Sequence, residues 1–210
     1  MDDLPGPPDA MRSEIVLLRD GRGATIRPAT VDDAPQVQEN INSIGAEVVY
    51  ILAESVGNDL DAERDWIRQF DGVSSVLFVA EVDGMIVGQG DVHPGRPPKE
   101  SHVGTIGIAI RDGYREVGLG RALMERLLEW MRDRQFHKAC LEVFSTNARA
   151  IALYKALGFE VEGVRRNIAY VHGEWCDSIE MAVTAEQFER LEPLWDLTQP
   201  TVPAASTTHE

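Results

Sequence analysis

The stretch YREVGLGRAL, residues 114–123, places two glycines, Gly118 and Gly120, immediately before a long amphipathic repeat. The start of a helix carries unpaired backbone N–H groups and a partial positive charge, and glycines there let a phosphate or pyrophosphate come close. A P-loop would need Lys and then Ser or Thr after the last glycine, where this chain has Arg121 and Ala122, and a dinucleotide fingerprint would need a third glycine. The stretch therefore predicts either an anion site of another kind or a glycine-containing helix cap.

The segments on either side of this stretch predict a crossover unit. Residues 118–134 repeat apolar side chains at helical spacing, residues 103–110 (VGTIGIAI) alternate as a strand, and residues 139–144 (ACLEVF) form a second strand. A strand, a helix and a strand in this order make the two strands parallel neighbours. One face of strand 103–110 carries only small residues around Gly107, so a ligand or another backbone can come close to it.

Turn and cap signals divide the rest of the chain. The predicted strands are 14–19, 24–28, a pair around the Asp83-Gly84 turn and a pair around the His172-Gly173 turn. The predicted helices are 31–43, 61–70, 147–157 and 185–196. Thr30 and Asp33 form the capping pair of the first of these helices, Asn147 begins the third, and Gly158 ends it. We expect an N-terminal extension with an extra strand over residues 1–22, one domain over 23–184, and a short helix with a disordered tail over 185–210.

Composition narrows the class of protein. A chain of 210 residues that is 43% hydrophobic can bury one good core, and its net charge of −15 argues against nucleic-acid binding. No apolar run has the length of a membrane span, and the acidic, proline-rich start differs from a signal peptide, which predicts a cytoplasmic protein with no membrane partner. Cys140 and Cys176 lie in apolar or strand-like runs, so both are expected to be buried bystanders, and no His/Cys spacing indicates a metal.

Charge is distributed unevenly along the chain. Segment 111–138 holds seven basic and five acidic residues, whereas segment 31–83 holds twelve acidic and two basic ones. This contrast is typical of a phosphate site with acidic surroundings, and either a solvated surface or a cation-attracting cleft would explain the acidic segment.

Several motifs in order resemble the GNAT superfamily of N-acetyltransferases. The pattern Tyr114-Arg115-x-x-Gly118-x-Gly120 is similar to that family's acetyl-coenzyme A loop, and LEVFSTNARAIALYKALGF (141–159) is similar to its second half. IRPATVDDA (26–34) resembles the family's start and RRNIAYVHGEWCDSIEMAV (165–183) its end. The resemblance covers about residues 24–184 and is closest in pattern to ribosomal-protein-alanine acetyltransferases. It implies an α/β fold: a mixed, mostly antiparallel seven-stranded sheet with helices on both faces, opened into a V by two diverging parallel strands.

The resemblance also implies which residues bind acetyl-coenzyme A. The backbone of Ile108, Ala109 and Ile110 would bind the pantetheine arm, as would the Asn147 side chain, which is also a helix cap. The pyrophosphate would be held by the backbone N–H groups of Arg115, Glu116, Val117, Gly118, Leu119, Gly120 and Arg121. The side chains of Arg115 and Arg121 either add charge-assisted contacts or are ordinary surface arginines.

Two side chains are candidates for catalysis. Tyr154 lies two helical turns after Asn147, on the same face, and by resemblance is the general acid that protonates the coenzyme A thiolate. Glu142 is a charged residue in the middle of a strand and lies twelve residues before Tyr154, the spacing of base and acid in the ribosomal-protein-alanine enzymes. A salt-bridged or exposed glutamate is the alternative, and His102 and Glu81 are rival bases.

The expected reaction is direct acetyl transfer from acetyl-coenzyme A to a primary amine in a ternary complex, without an acyl-enzyme or a metal. The acceptor is a protein N-terminus, a lysine or a small amine, and the acidic segment 31–83 favours a cationic one. A noncatalytic acyl-coenzyme A sensor is the alternative. The sequence leaves the oligomeric state open, a homodimer included.

Overall fold

A mixed eight-stranded sheet organises the chain in the computed structural model, which describes residues 11–47, 57, 59–96 and 99–188. The strands are β1 (Glu14–Leu17), β2 (Gly23–Pro28), β3 (Val76–Val82), β4 (Met85–Pro94), β5 (Val103–Ile110), β6 (Lys138–Phe144), β7 (Glu160–Val171) and β8 (Glu174–Thr184). Their order is β1-β2-β3-β4-β5-β6-β8-β7, and every neighbouring pair is antiparallel except the parallel pair β5 and β6. The mixed, mostly antiparallel α/β fold is confirmed. The strand number of seven was wrong, because β1 lies outside the family-like stretch and pairs with β2 as an additional edge strand.

Five helices occur in the described part of the chain: α1 (Ala34–Gly45), α2 (Leu60–Ile67), α3 (Leu119–Asp133), α4 (Ala148–Ala156) and α5 (Ala185–Phe188). The helix predicted over 31–43 begins with a 3-10 turn, Val31–Asp33, where the Thr30 N–H donates to the Asp33 carboxylate at 2.7 Å. The helix predicted over 61–70 ends at Ile67, and only the first turn of the one predicted over 185–196 lies within the described residues. None of the described helices combines the length and apolar character needed to cross a membrane.

The turns follow the glycine signals. Asp83 and Gly84 have φ angles of 50° and 79°, and His172 and Gly173 have 49° and 87°, so both hairpins have the positive φ angles that tight two-residue turns require. Gly158 follows α4 with a φ of 81°, which is the left-handed conformation expected just after a helix C-terminus.

Helix α3 forms the larger part of the core on one face of the sheet. Leu119, Leu123 and Leu127 are fully buried there, and each such side chain contributes on the order of 1.5–3 kcal/mol to folding. Glycine lets α3 come close to β4, because a Cβ added at Gly90 would lie 2.8 Å from Leu127 Cδ1. On the opposite face α1 and α2 cover a smaller cluster around Val79. Helices therefore flank both faces of the sheet, as predicted.

The two parallel strands diverge after a short paired section. Strand β5 pairs with β6 only from Val103 to Thr105, opposite Lys138 to Cys140. Beyond that point β5 stays paired with β4, and β6 stays paired with β8. The facing edges of β5 and β6 thus have no strand partner in the described part of the chain, and the sheet opens into the V that the resemblance implied.

The small-residue face of β5 is partly filled by the protein itself. A Cβ added at Gly107 would lie 2.7 Å from the carboxylate of Asp91, which stands beside it on β4. Burial raises the pKa of Asp91, and His93, whose Nε2 lies 3.3 Å away, opposes that rise. The space predicted for a ligand or another backbone near Gly107 is therefore taken by a carboxylate.

Candidate active site

A cavity of about 840 Å³ lies where β5 and β6 diverge. It is lined by all but two of the residues predicted for the site, namely Ile108, Ala109, Ile110, Arg115, Glu116, Gly118, Gly120, Arg121, Glu142, Asn147 and Tyr154. Residues from β5, the loop before α3, β6 and α4 thus meet at one place, although they are far apart in the sequence.

Val117 and Leu119 do not line this cavity. The Leu119 side chain is fully buried in the core under α3. The Val117 carbonyl accepts a hydrogen bond from the backbone N–H of Arg19 at 2.9 Å. Because their predicted role concerned backbone N–H groups, it stays a prediction.

The two glycines at the start of α3, Gly118 and Gly120, have different roles. Gly118 is the N-cap of α3 and has a φ of 98°, a conformation that side chains disfavour even where there is space for them. Gly120, in the first turn of α3, lets the helix lie close to β5, since an added Cβ would lie 3.1 Å from Ile110 Cδ1 and that side chain would have to shift. None of the described side chains caps the N-terminus of α3, and no acidic residue lies in its first turn. The first N–H groups of α3 therefore keep their capacity to bind an anion.

Three arginines at the cavity are already paired with carboxylates. Arg115 donates from Nε to the Ile110 carbonyl at 2.8 Å and forms a bidentate ion pair with Glu47, at 2.6 and 2.7 Å. Arg121 pairs with Glu125 at 3.0 Å. Arg149, which sequence reasoning missed, pairs with Glu116 at 3.2 Å. Arg115 consequently links the end of β5 to Glu47, which follows α1.

Asn147 begins α4 as its N-cap. Its side-chain oxygen accepts a hydrogen bond from the backbone N–H of Ala150 at 3.2 Å, so the predicted capping role is present. The residue also lines the cavity.

Tyr154 lies on α4 and is buried, with 5% of its surface exposed, at the wall of the cavity. Burial raises the pKa of its phenol to about 12, so the hydroxyl remains protonated at neutral pH. Among the described residues, none forms a side-chain hydrogen bond with this hydroxyl. The cavity therefore contains an uncommitted proton donor.

Glu142 lies in the middle of β6 at the same cavity. Its carboxylate accepts a hydrogen bond from Ser178 Oγ at 3.2 Å and forms an ion pair with Arg165. Arg165 also contacts Glu180 at 3.4 Å. Glu142 is thus salt-bridged, as the alternative interpretation expected, and it also lines the cavity.

The rival bases lie elsewhere. Glu81 on β3 forms an ion pair with Arg27 at 3.0 Å and does not line the cavity. His102 precedes β5 at the end opposite the loop, where its carbonyl accepts a hydrogen bond from His137 N–H at 2.8 Å. The structure therefore brings Glu142, but neither rival, to the cavity that holds Tyr154.

Both cysteines are free and lie outside the cavity lining. Cys176 is buried, with its sulfur 3.7 Å from the hydroxyls of Ser145 and Thr146, and Cys140 is half-buried. Within the described ranges no group of three or more His, Cys, Asp or Glu side chains could hold a metal ion.

Comparisons with known proteins point to one family. The sequence model of the acetyltransferase (GNAT) family matches residues 47–159. The chain is 36% identical to the L-amino acid N-acetyltransferase AaaT of Escherichia coli K12, over 58% of this chain and 70% of that protein.

Solved structures share the fold. A ribosomal-protein-alanine N-acetyltransferase from Brucella melitensis is similar with a TM-score of 0.69 at 28% identity, covering 76% of this chain and 98% of that one. The structure of yncA from Salmonella typhimurium, solved with its cofactor acetyl-CoA, is similar with a TM-score of 0.69 at 23% identity, covering 77% of this chain and 93% of that one.

Proposed function

Since this chain belongs to the GNAT acetyltransferase family, we propose that it moves an acetyl group from acetyl-coenzyme A to a primary amine by direct attack in a ternary complex. The family resemblance read from the motifs is confirmed, as are acyltransferase activity and acetyl-coenzyme A as its donor. The observation that best supports this mechanism is that one cavity holds both Tyr154, a buried proton donor, and the N-terminus of α3, which no described side chain caps.

The donor side of the cavity suits coenzyme A. Beyond Thr105 the edge of β5 has no strand partner among the described residues, so it offers backbone groups to the amide-containing pantetheine arm, apart from the Ile110 carbonyl, which accepts a hydrogen bond from Arg115. The N–H groups at the start of α3, behind Gly118, offer donors and partial positive charge to the pyrophosphate. The long, partly apolar cavity between them has a volume in the usual range for ligand sites.

Tyr154 acts on the leaving sulfur. An ordinary thiol has a pKa of about 8.5, roughly three to four units below that of this buried phenol, so complete proton transfer to the thiolate is uphill. A hydrogen bond from the phenol to the sulfur therefore supplies the stabilisation as the tetrahedral intermediate collapses. Because the hydroxyl has no side-chain partner among the described residues, it needs to break no internal bond to do so.

Glu142 receives the proton of the attacking amine, directly or through one water. Its position in the cavity makes it accessible to an acceptor. The ion pair with Arg165 and the hydrogen bond from Ser178 hold the carboxylate in one orientation. This arrangement gives the reaction a base on β6 and a hydrogen-bond donor on α4.

The acceptor is a primary amine: a free amino acid or other small amine, a protein N-terminus or a lysine. The similar proteins named for an L-amino acid and for a ribosomal-protein alanine favour the first and second of these. Acidic residues in segment 31–83 favour an acceptor that carries positive charge.

The alternative of a noncatalytic acyl-coenzyme A sensor has less support. Binding alone would require neither the Tyr154 hydroxyl nor the Glu142 carboxylate in the cavity. The similar proteins are named as enzymes.

An acceptor screen tests the proposal. Thiol release from acetyl-coenzyme A is followed with L-amino acids, polyamines, antibiotics, N-terminal peptides and lysine peptides, against a reaction without acceptor. We expect release that depends on at least one amine class, with the acetylated amine detected by mass spectrometry. If no amine raises release although coenzyme A raises the melting temperature (Tm), the protein is a sensor.

A further inference from the structure

The turn between β1 and β2, residues 18–22, lies against the loop that precedes α3. The backbone N–H of Arg19 donates to the Val117 carbonyl at 2.9 Å, and Arg22 Nη2 donates to the Gly113 carbonyl at 2.8 Å. The Arg22 guanidinium also lies 4.1 Å from the centre of the Tyr114 ring, a cation–π contact. The hairpin of β1 and β2 is therefore attached to both ends of this loop, at Gly113 and at Val117.

Arg19 itself lines the cavity. Its Cγ lies 3.9 Å from the position that a Cβ would take at Gly118, the N-cap of α3. Its side chain is exposed. The first N–H groups of α3 and the Arg19 side chain thus lie at the same part of the cavity.

Arg19 differs from the other cavity arginines in its partners. Arg115, Arg121 and Arg149 each form an ion pair with a carboxylate. Arg19 forms none with any described residue, and the neighbouring carboxylate of Asp20 is held by Arg22 at 2.5 Å. An unpaired guanidinium beside free N–H donors is suited to bind a phosphate.

We propose that Arg19 binds a phosphate of coenzyme A, either in the pyrophosphate or at the 3′ position, so that the N-terminal hairpin completes the donor site. This inference rests on the proposed function. The hairpin strand Glu14–Leu17 lies outside the family-like stretch 24–184, so the contact is a property of this chain's own extension.

Calorimetric titration of Arg19→Gln tests the inference. The loss of one exposed, charge-assisted contact should weaken coenzyme A binding about three- to tenfold and reduce its dependence on salt. Arg19→Lys, which keeps the charge but not the fork of donors, should recover part of that affinity. The matched control is Arg68→Gln at the C-terminal end of α2, since Arg68 is an exposed arginine paired only with Asp65 among the described residues. The affinity of this variant for coenzyme A should equal that of the wild type.

Two further ligands separate the sources of the phosphate. If Arg19 binds the 3′-phosphate, Arg19→Gln should bind 3′-dephospho-coenzyme A as tightly as the wild type does; if it binds the pyrophosphate, the loss should persist with that ligand. Pantetheine, which has no phosphate, should bind both proteins equally. Equal affinity of Arg19→Gln and wild type for coenzyme A, or an equal loss with pantetheine, would overturn the inference. Failure of the wild type to bind coenzyme A at all would instead count against the proposed function.

Discussion

Replacing Tyr154 by Phe removes one hydroxyl from the cavity and leaves the ring. Because no described side chain is hydrogen-bonded to that hydroxyl, its loss leaves no partner unsatisfied, and the ring keeps its packing, including the contact with Phe159 at 5.9 Å between ring centres. The free energy of unfolding should therefore change by less than about 1 kcal/mol, or roughly 2–4 °C in Tm.

The effect on catalysis should be much larger. Loss of a positioned proton donor lowers kcat by about 10²–10³, which corresponds to roughly 3–4 kcal/mol of transition-state stabilisation. The KM for acetyl-coenzyme A should stay within about twofold, because the hydroxyl acts on the leaving sulfur in the transition state.

The assay is amine-dependent thiol release, measured from pH 6 to 10. Since the pKa of Tyr154 is raised to about 12, ionisation of this residue should cause no alkaline loss of kcat in the wild type over that range. Tyr170→Phe, the same chemical change at an exposed site on β7, should keep full activity. A Tyr154→Phe enzyme that keeps more than about a third of the wild-type kcat would refute the role of this hydroxyl.

Three other perturbations test the remaining parts of the account. Glu142→Gln should lower kcat about 10- to 100-fold in a steady-state assay. The control is Glu180→Gln, which should retain most activity, because Glu180 contacts the same arginine, Arg165, but lies outside the cavity lining. Equal losses of activity in the two variants would argue for a purely structural role of Glu142. Gly118→Ala and Gly173→Ala should each lower the free energy of unfolding by on the order of 1–2 kcal/mol, measured by thermal or denaturant unfolding, because both positions have positive φ. Only Gly118→Ala should also weaken coenzyme A binding in calorimetry. Indistinguishable affinities of the two variants would contradict the assignment of the loop to coenzyme A. Burial raises the pKa of Asp91, so the charged carboxylate lowers the stability of the fold above its folded-state pKa, and this loss disappears as the pH falls through that pKa. Asp91→Asn should therefore raise Tm at pH 7, and the gain in Tm should shrink in acid. A lower Tm of the variant at pH 7 would show that the carboxylate stabilises the fold.

Much of the fold could be predicted because its signals are local. Apolar periodicity placed α3, β5 and β6 within about one residue of their observed bounds. Glycine after a polar residue located both tight hairpins. The strand number could not be read from the resemblance, because β1 lies outside the resembling stretch and its pairing with β2 depends on this chain's own extension.

In the candidate site, too, features that are local in the sequence could be predicted, whereas contacts between distant segments could not. The loop before α3 and the stretch from Glu142 to Tyr154 are continuous in sequence, so their residues could be placed together by pattern. Arg19 could not be placed with them by pattern, because its contact with Val117 depends on the order of the strands in the folded sheet. The pairing of His102 with His137, away from the cavity, likewise follows from strand direction, which separates that histidine from Tyr154.

The most direct test of acetyl transfer in a ternary complex is a rapid-quench single turnover. Enzyme in excess is loaded with acetyl-coenzyme A, quenched at intervals before and after the accepting amine is added, and assayed for free thiol, acetylated amine and protein-bound acetyl. We expect no thiol before the amine arrives, then thiol and acetylated amine in equal amounts with one rate constant. A burst of thiol with acetylated protein in the absence of amine would contradict it.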